Sequence, residues 1–363
     1  MTAKAGKMKR LLSNSMKSAS LSNIYVSTQL WCQEEADPLG QALQNQSLIP
    51  DEATALLLVD EQRAIPAISK NMALMQDIQF RMQGLPSSHC LLQGDSRNLA
   101  HIANESVHLV VTSPPYWNLK KYVTSPNQLS EITDYEQFLQ ELDQVWQQVW
   151  RVLVPGGRLV IVVGDVCVAR RRFGRHMVFP LHASIQEHCR FLGFDNLAPI
   201  IWYKIANATL EAAGNGSSFL GKPYEPGGII KNDIEFILMQ RKPGGYRSPT
   251  LTARVLSVIP ENLHRQWFQQ IWQDIKGAST RLHPAPYPLV LAERLVRMFS
   301  FTGDTVLDPF MGTGTTCVAA ANWGRNSIGV DVEPTYHRLA LQRMQETFGL
   351  RLIHGKAMAE VAQ

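Results

Sequence analysis

Val306-Leu307-Asp308-Pro309-Phe310-Met311-Gly312-Thr313-Gly314-Thr315-Thr316 reads as an apolar strand, a glycine turn and the start of a helix. The helix should run from about Thr315 to Trp323, and Ser327 to Asp331 follows as a second strand, completing one βαβ unit. Glycines at such a turn let a ligand approach the backbone. The turn lacks the third glycine of G-x-G-x-x-G and the Gly-Lys-Ser/Thr of a phosphate-binding loop. Asp308 at the strand tip would repel a phosphate and suit a cation.

Asp331 ends the next strand, where a carboxylate commonly takes a ribose diol. An adenosine that carries a cation in place of a pyrophosphate is S-adenosylmethionine. The glycine turn alone reads equally well as a tight βα connection; the pair Asp308 and Asp331 is what favours this cofactor.

Upstream, the same alternation of strand and helix recurs. Cys90 to Asp95 reads as a short strand and turn, Val107 to Thr112 as a buried β-branched strand, and Arg158 to Val163 as a third. Nearly continuous apolar runs of this kind belong to strands covered on both faces, as in a parallel α/β sheet. Between the last two, Phe138, Leu139, Leu142, Val145, Trp146 and Val149 recur at helical intervals, and Thr133 and Glu136 have capping-box spacing. Pro155-Gly156-Gly157 is expected to stop that helix. His182 to Leu192 reads as a helix, and Ile200 to Trp202 and Ile234 to Met239 as strands. A helix led by Pro288 runs to Phe299. Short apolar pieces at 53–59, 64–68 and 78–82 suggest helices of undefined packing.

Thr112-Ser113-Pro114-Pro115-Tyr116-Trp117 lies at the mouth of the second strand. Two prolines fix two φ angles and remove two N–H donors, which leaves the carbonyls of Ser113 and Pro114 free to accept from a ligand. Ser113 adds another acceptor, and Tyr116 offers a flat face for stacking. The lone pair of an aromatic amino group is delocalised into its ring. Acceptors aimed at its two N–H groups would localise that pair and hold the nitrogen in line with a methyl donor. A bare Pro-Pro would be only a turn after a strand; its position here favours the chemical reading. Trp117 would line the pocket or plug the space beneath the loop.

The 363 residues are 45% hydrophobic and 18% charged, an ordinary globular balance. A formal charge of +4 permits a nucleic-acid partner without requiring one. Five scattered cysteines without a C-x-x-C pair suggest neither a disulfide frame nor a zinc site. No apolar run approaches the roughly 18 residues that span a bilayer, and the basic opening lacks the apolar core of a secretory signal. No metal and no membrane partner are expected, and the location is expected to be cytoplasmic. The cluster Arg170, Arg171, Arg172 and Arg175 suits contact with DNA phosphates, or is a solvated loop. Lys204 is either structural or a backbone contact.

In these blocks the chain resembles the amino-methylating (cytosine-N4 or adenine-N6) DNA methyltransferases of restriction–modification systems, in the group whose Ser-Pro-Pro-Tyr block precedes the glycine-rich block. The resemblance runs over roughly residues 88 to 354 and takes in Gly94-Asp95, Thr112 to Trp117, Pro155 to Asp165, Ile200 to Lys204, Glu235 to Ile237, His283 to Pro288, Asp308 to Thr316 and Gly329 to Asp331. It implies a Rossmann-like α/β methyltransferase fold, a mostly parallel sheet with helices on both faces, entered at a permuted strand. It implies a catalytic set of Ser113, Pro114, Pro115 and Tyr116. For S-adenosylmethionine it implies Asp95 near the adenine, Asp308, Phe310, Gly312, Gly314 and Thr315 around the methionine, Asp331 at the ribose, and His283 and Pro284 flanking the methionine end.

By the same resemblance, a serine at position 113 tilts the target toward cytosine N4, with adenine N6 as the alternative. The base would be extruded from double-stranded DNA to react. A paired restriction endonuclease and a monomeric or homodimeric state are expected. The implied organisation is an N-terminal extension at 1–85, partly disordered or helical, and a catalytic block at 86–204. A target-recognition region follows at 205–280, with one core strand near 234–239. A cofactor block at 281–354 and a tail at 355–363 complete it. Lys222, Lys231, Arg241, Lys242, Arg247, Arg254 and Arg265, with Tyr224, Tyr246 and Trp267 among them, are the candidates for base contacts in the recognition region.

Overall fold

The computed structural model describes residues 24–28, 38–119, 127–168, 174–204, 232–278 and 287–348, and the backbone of 350–353 and 356–359. In chain order β1 (Ile24–Ser27) precedes four helices, α1 (Pro38–Leu43), α2 (Asp51–Val59), α3 (Glu61–Lys70) and α4 (Met72–Gln83). Next come β2 (Ser87–Gln93), β3 (Val107–Thr112), α5 (Tyr135–Val152), β4 (Leu153–Val163), the hairpin of β5 (Val166–Val168) and β6 (Met177–Phe179), α6 (Leu181–Phe191), β7 (Asp195–Tyr203) and β8 (Ile234–Arg241). The last third holds α7 (Leu251–Leu256), α8 (Glu261–Trp267), β9 (Ile271–Trp272), α9 (Leu289–Phe299), β10 (Thr305–Asp308), α10 (Thr315–Asn322), β11 (Asn326–Asp331), α11 (Pro334–Phe348), β12 (Leu350–Ile353) and β13 (Lys356–Ala359).

Eleven strands form one sheet in the order β12-β13-β1-β2-β11-β10-β3-β4-β8-β7-β9. From β1 to β4 all neighbours are parallel; β8 and β7 return antiparallel beyond β4. From β10 the chain crosses by α10 to β11 on one side, whereas β3 crosses by α5 to β4 on the other. The strand order therefore reverses between β10 and β3, and a crevice outside the carboxyl ends of the strands opens at such a point.

Alternate residues of the central strands feed two cores. Val110 and Ile161 join α5 and α6 on one face, and Leu109, Val111, Val160 and Val162 join α9 and α10 on the other. Helix α5 buries its Phe138-Leu139-Leu142-Val145-Trp146-Val149 stripe, as its periodicity dictates. Its cap is Asp134, which accepts from Gln137 N at 2.8 Å, one place later than the Thr133 box that the sequence suggests.

Pro155-Gly156-Gly157 does not simply end the helix, because α5 stops at Val152 and these residues form a bulge inside β4. Gly156 has φ +76° there, and a Cβ at that position would sit 2.6 Å from Gly245 O, so only glycine fits.

The N-terminal extension is more integrated than its pattern suggests. β1 pairs parallel with β2, and β13, from the segment expected as a tail, pairs with β1. The three apolar pieces become α2, α3 and α4, which share a core with Ala253, Val255 and Leu256 of α7. Arg241 pairs with Asp195, Lys242 with Glu105, Arg247 with Asp304, Arg254 with Glu61 and Arg265 with Glu261. Trp267 is buried, and Tyr246 is exposed. These basic side chains are held by carboxylates of the protein itself, and Lys222, Tyr224 and Lys231 lie outside the described residues. No helix among the described residues is long and apolar enough to cross a membrane.

Candidate active site

β10 delivers Asp308 to the reversal point, and the chain then turns back toward β11. Met311 N donates to Val330 O at 2.9 Å and Gly312 N to Asp331 Oδ2 at 2.8 Å, so the glycine turn is stitched to the end of β11. Gly314 caps α10 in the left-handed region at φ +77°, with Ala340 close on its open side. Thr315 is buried and its Oγ1 accepts from Arg343 of α11 at 2.8 Å. Gly312, Gly314 and Thr315 thus shape the turn from behind.

Asp308 is 1% exposed and fully engaged. Thr112 Oγ1 (2.7 Å) and Phe310 N (3.1 Å) donate to its Oδ1, and Thr316 Oγ1 (2.7 Å) and Tyr287 OH (3.1 Å) to its Oδ2. Burial pushes its pKa up, and these donors act in the opposite direction. The expectation that Asp308 meets a cation directly is corrected on this geometry: its carboxylate is sealed behind four protein donors.

A cleft of about 560 Å³ opens over this frame, with Asp95, Asp331, Phe310, Ser113, Pro115 and Tyr336 in its wall. Asp331 accepts from Gly312 N and from Glu333 N (2.9 Å). Burial pushes its carboxyl up to about 7. Asp95 follows β2 across from it, where Gly94 N donates to Asp331 O at 2.9 Å. The Asp95 carboxylate pairs with Arg97 at 2.6 Å, and Arg97 pairs in turn with Glu141 of α5. Phe310 stands edge-on to Trp146 with ring centroids 6.2 Å apart.

From the other side of the reversal, β3 brings Ser113 and Pro115 to the same cleft. Ser113 Oγ donates to Tyr116 OH at 3.4 Å, and Tyr116 OH to Val162 O at 3.4 Å. Tyr116 is only 6% exposed and its ring borders Gly164, so it does not present an open stacking face here. That corrects the stacking expectation. Pro114 is buried next to Ser113. Trp117, at φ +46°, is buried edge-on against Tyr135 (5.3 Å) and Phe179 (4.9 Å), which makes it the plug rather than a wall. Lys204 is ion-paired with Glu235.

Arg175 is exposed in the β5–β6 connection; Arg170, Arg171 and Arg172 lie outside the described residues, as do His283 and Pro284. Among the described residues no group of three or more His, Cys, Asp or Glu could hold a metal ion. Tyr287 and Tyr336 join the site without a sequence signature: Tyr287 lies in the His283–Pro288 block with no motif of its own, and Tyr336 shows only a helical position.

The family model N6_N4_Mtase, described as DNA methylase, matches residues 107–342. Type II methyltransferase M.MjaI of Methanocaldococcus jannaschii is 37% identical over 280 residues, 69% of this chain and 88% of its own length. Type II methyltransferase M.MthZI of Methanothermobacter thermautotrophicus is 34% identical over 289 residues, 73% of this chain and 79% of its own. A crystal structure of a candidate DNA modification methylase from Thermus thermophilus, complexed with S-adenosyl-L-methionine, is 54% identical. It aligns with a TM-score of 0.59 over 76% of this chain and 98% of its own. With the family model spanning β3 to α11 and relatives of this identity along most of their length, the chain belongs to the N6_N4_Mtase family of DNA methylases.

Proposed function

We propose that this protein transfers the methyl group of S-adenosylmethionine to the N4 amino group of a cytosine extruded from double-stranded DNA, as the modification half of a restriction–modification system. The observation that carries the reading is a single cleft walled by Asp331 and Asp95 from one side and by Ser113 and Pro115 from the other. The relatives' type II methyltransferase names support the restriction–modification setting.

The wall fits the cofactor chemically. Asp331 can accept from both hydroxyls of a ribose, Asp95 from an adenine amino group, and Phe310 and Tyr336 give apolar faces. The bound S-adenosylmethionine supplies an electrophilic methyl on a sulfonium. Two carboxylates in the cleft wall, with the sealed Asp308 behind it, favour that positive charge over a phosphate.

The chain's own work is to make an amino nitrogen nucleophilic. Tyr116 OH accepts the hydrogen bond of the Ser113 hydroxyl, which leaves the Ser113 lone pairs facing outward as acceptors. Together with the Ser113 and Pro114 carbonyls they draw on the two N–H bonds of the target, so that its lone pair leaves the ring and points at the methyl. As the nitrogen takes the methyl, the electron pair of the broken S–C bond stays on sulfur, leaving the neutral thioether S-adenosylhomocysteine, and one amino proton passes to solvent water. Positioning and electrostatics carry the rate. Arg170 to Arg175 would lie along the phosphates.

The test is to incubate the protein with unmethylated genomic DNA and isotopically labelled S-adenosylmethionine, digest to nucleosides and analyse by mass spectrometry. N4-methylcytosine is expected. Finding 6-methyladenine instead overturns the base assignment, and no methylated nucleoside overturns the activity.

A further inference from the structure

The amino ends of β10 and β11, opposite the cleft, hold a second cavity of about 770 Å³. Asn326 opens β11 and Asp331 closes it, so the two sites stand roughly 20 Å apart along a six-residue strand. α4 supplies one wall with Met75 and Met82, the start of α8 supplies Leu263, and Arg297, Trp323 and Arg325 complete the lining.

Neither arginine here has an ion-pair partner among the described residues. Arg325 is 1% exposed and donates only to neutral acceptors: Ser300 Oγ (3.1 Å), Ser300 O (2.7 Å), Thr302 Oγ1 (3.2 Å) and Trp323 O. Arg297 makes no hydrogen bond or ion pair with any described residue; its guanidinium lies between the rings of Trp323 (3.7 Å) and Trp267 (4.8 Å). Two carboxylates act on them from a distance, Asp304 on Arg325 and Glu293 on Arg297, and neither bonds to them. Asp304 takes Arg247 through both oxygens, at 2.7 and 2.6 Å, and Glu293 accepts from Asn322 at 2.8 Å. Burial pushes Arg325 down to about 9 and Arg297 to about 10.

Trp323 Nε1 is buried with no acceptor among the described residues. Buried charges and donors are ordinarily paired. Arg297 and the indole N–H of Trp323, on two residues of one cavity wall, both lack an acceptor among the described residues, and an oxyanion is the partner that would serve them beside the Arg325 charge. The rest of the wall mixes apolar side chains, three of them methionines that adapt to flat ligands, with the polar Gln76, Gln79, Ser257 and Asn262.

We propose that this cavity is a binding site for a small flat organic anion, its oxyanion between Arg297 and Arg325 and its apolar body against Met75, Met82 and Leu263. Nothing in the methyl-transfer reading uses these residues, so the site stands apart from it.

The probes are 1-naphthyl phosphate, adenosine 5′-monophosphate, inorganic phosphate and neutral 1-naphthol. They are titrated into the full chain saturated with S-adenosylhomocysteine and followed by calorimetry and tryptophan fluorescence. An aromatic phosphate is expected to bind at least tenfold tighter than inorganic phosphate or 1-naphthol. A tighter adenosine 5′-monophosphate assigns the site to nucleotides, and a tighter naphthyl ester to other aromatic anions. Arg297→Met should weaken that binding tenfold or more. Gln79→Glu, which places a carboxylate in the same lining, should also weaken it while raising the Tm, and this arm survives if Arg297→Met misfolds. Equal affinity in the folded variants and the parent, or 1-naphthol bound as tightly as its phosphate ester, overturns the proposal.

Discussion

Thr112 Oγ1 donates to Asp308 Oδ1 across 2.7 Å, and this bond joins β3 to β10 at the point where the strand order reverses. It couples the strand that carries Ser113 to the strand that carries the glycine turn. Both groups are buried, at 0% and 1% exposure, so neither can turn to water if the other is lost. Thr112→Val keeps the shape and removes one donor from Asp308. It should lower stability by about 1–3 kcal/mol, the usual cost of an under-satisfied buried group, as read by urea unfolding. S-adenosylmethionine affinity and single-turnover methyl transfer should fall together, because the two walls lose their common anchor. Combined with Asp308→Asn the losses should be less than additive by about 0.5 kcal/mol or more; strict additivity would argue against the coupling.

Asp331 makes cofactor binding pH-dependent near neutrality. Burial pushes its carboxyl up to about 7, with the N–H groups of Gly312 and Glu333 acting the other way. Ribose hydroxyls and a sulfonium both favour the ionised form. Above pH 7 the carboxylate is already charged and the affinity is level. Below it, binding must first remove a proton, and the Kd for S-adenosylmethionine should rise by up to about tenfold per pH unit, about 1.4 kcal/mol. Asp331→Asn should bind weakly and flatten the profile. Calorimetry between about pH 5.5 and 8.5 checks this, and a level profile in the parent protein would remove Asp331 from the ribose.

Tyr116 is expected to act through Ser113. Its hydroxyl accepts from Ser113 Oγ and donates to Val162 O, both at 3.4 Å, too long to contribute much stability. Tyr116→Phe should therefore leave the Tm nearly unchanged. The Ser113 proton then loses its acceptor and turns toward the target amino group, where it opposes catalysis. A fall in kcat of roughly tenfold, worth about 1.4 kcal/mol, with S-adenosylmethionine affinity intact, is the expected outcome. An unchanged kcat would return Tyr116 to a packing role.

The features legible in the sequence were those that one strand or one turn determines locally. The run Val306–Thr316 and the strand at Val107–Thr112 announce the parallel sheet, since burial on both faces leaves them apolar throughout. What could not be read was set by distant partners. Asp308 looked like a free carboxylate because, beside the local donors Phe310 and Thr316, it takes Thr112 and Tyr287, which only the fold brings to it. β1 and β9 are four and two residues long, too short to show a period. The ion pairs of Arg241, Arg247 and Arg254 were hidden for the same reason, because their carboxylate partners Asp195, Asp304 and Glu61 lie far off in the chain.

Lys204 gives the sharpest separation between a structural cation and a DNA contact. Its Nζ is paired with Glu235, whose side chain is 8% exposed beside Gly164 and the Tyr116 ring. Removing the ammonium alone leaves a buried carboxylate unpaired, which typically costs about 3–5 kcal/mol, whereas neutralising both partners is often close to neutral. Lys204→Met should thus lower the Tm sharply, and Lys204→Met with Glu235→Gln should recover most of the loss. DNA binding supplies the independent readout. Each phosphate contact adds roughly 0.9 to the slope of log affinity against log salt. The double variant should keep the parent's slope, because this lysine's charge is used within the protein. A slope smaller by about one unit in a fully folded double variant would instead put Lys204 on the DNA backbone.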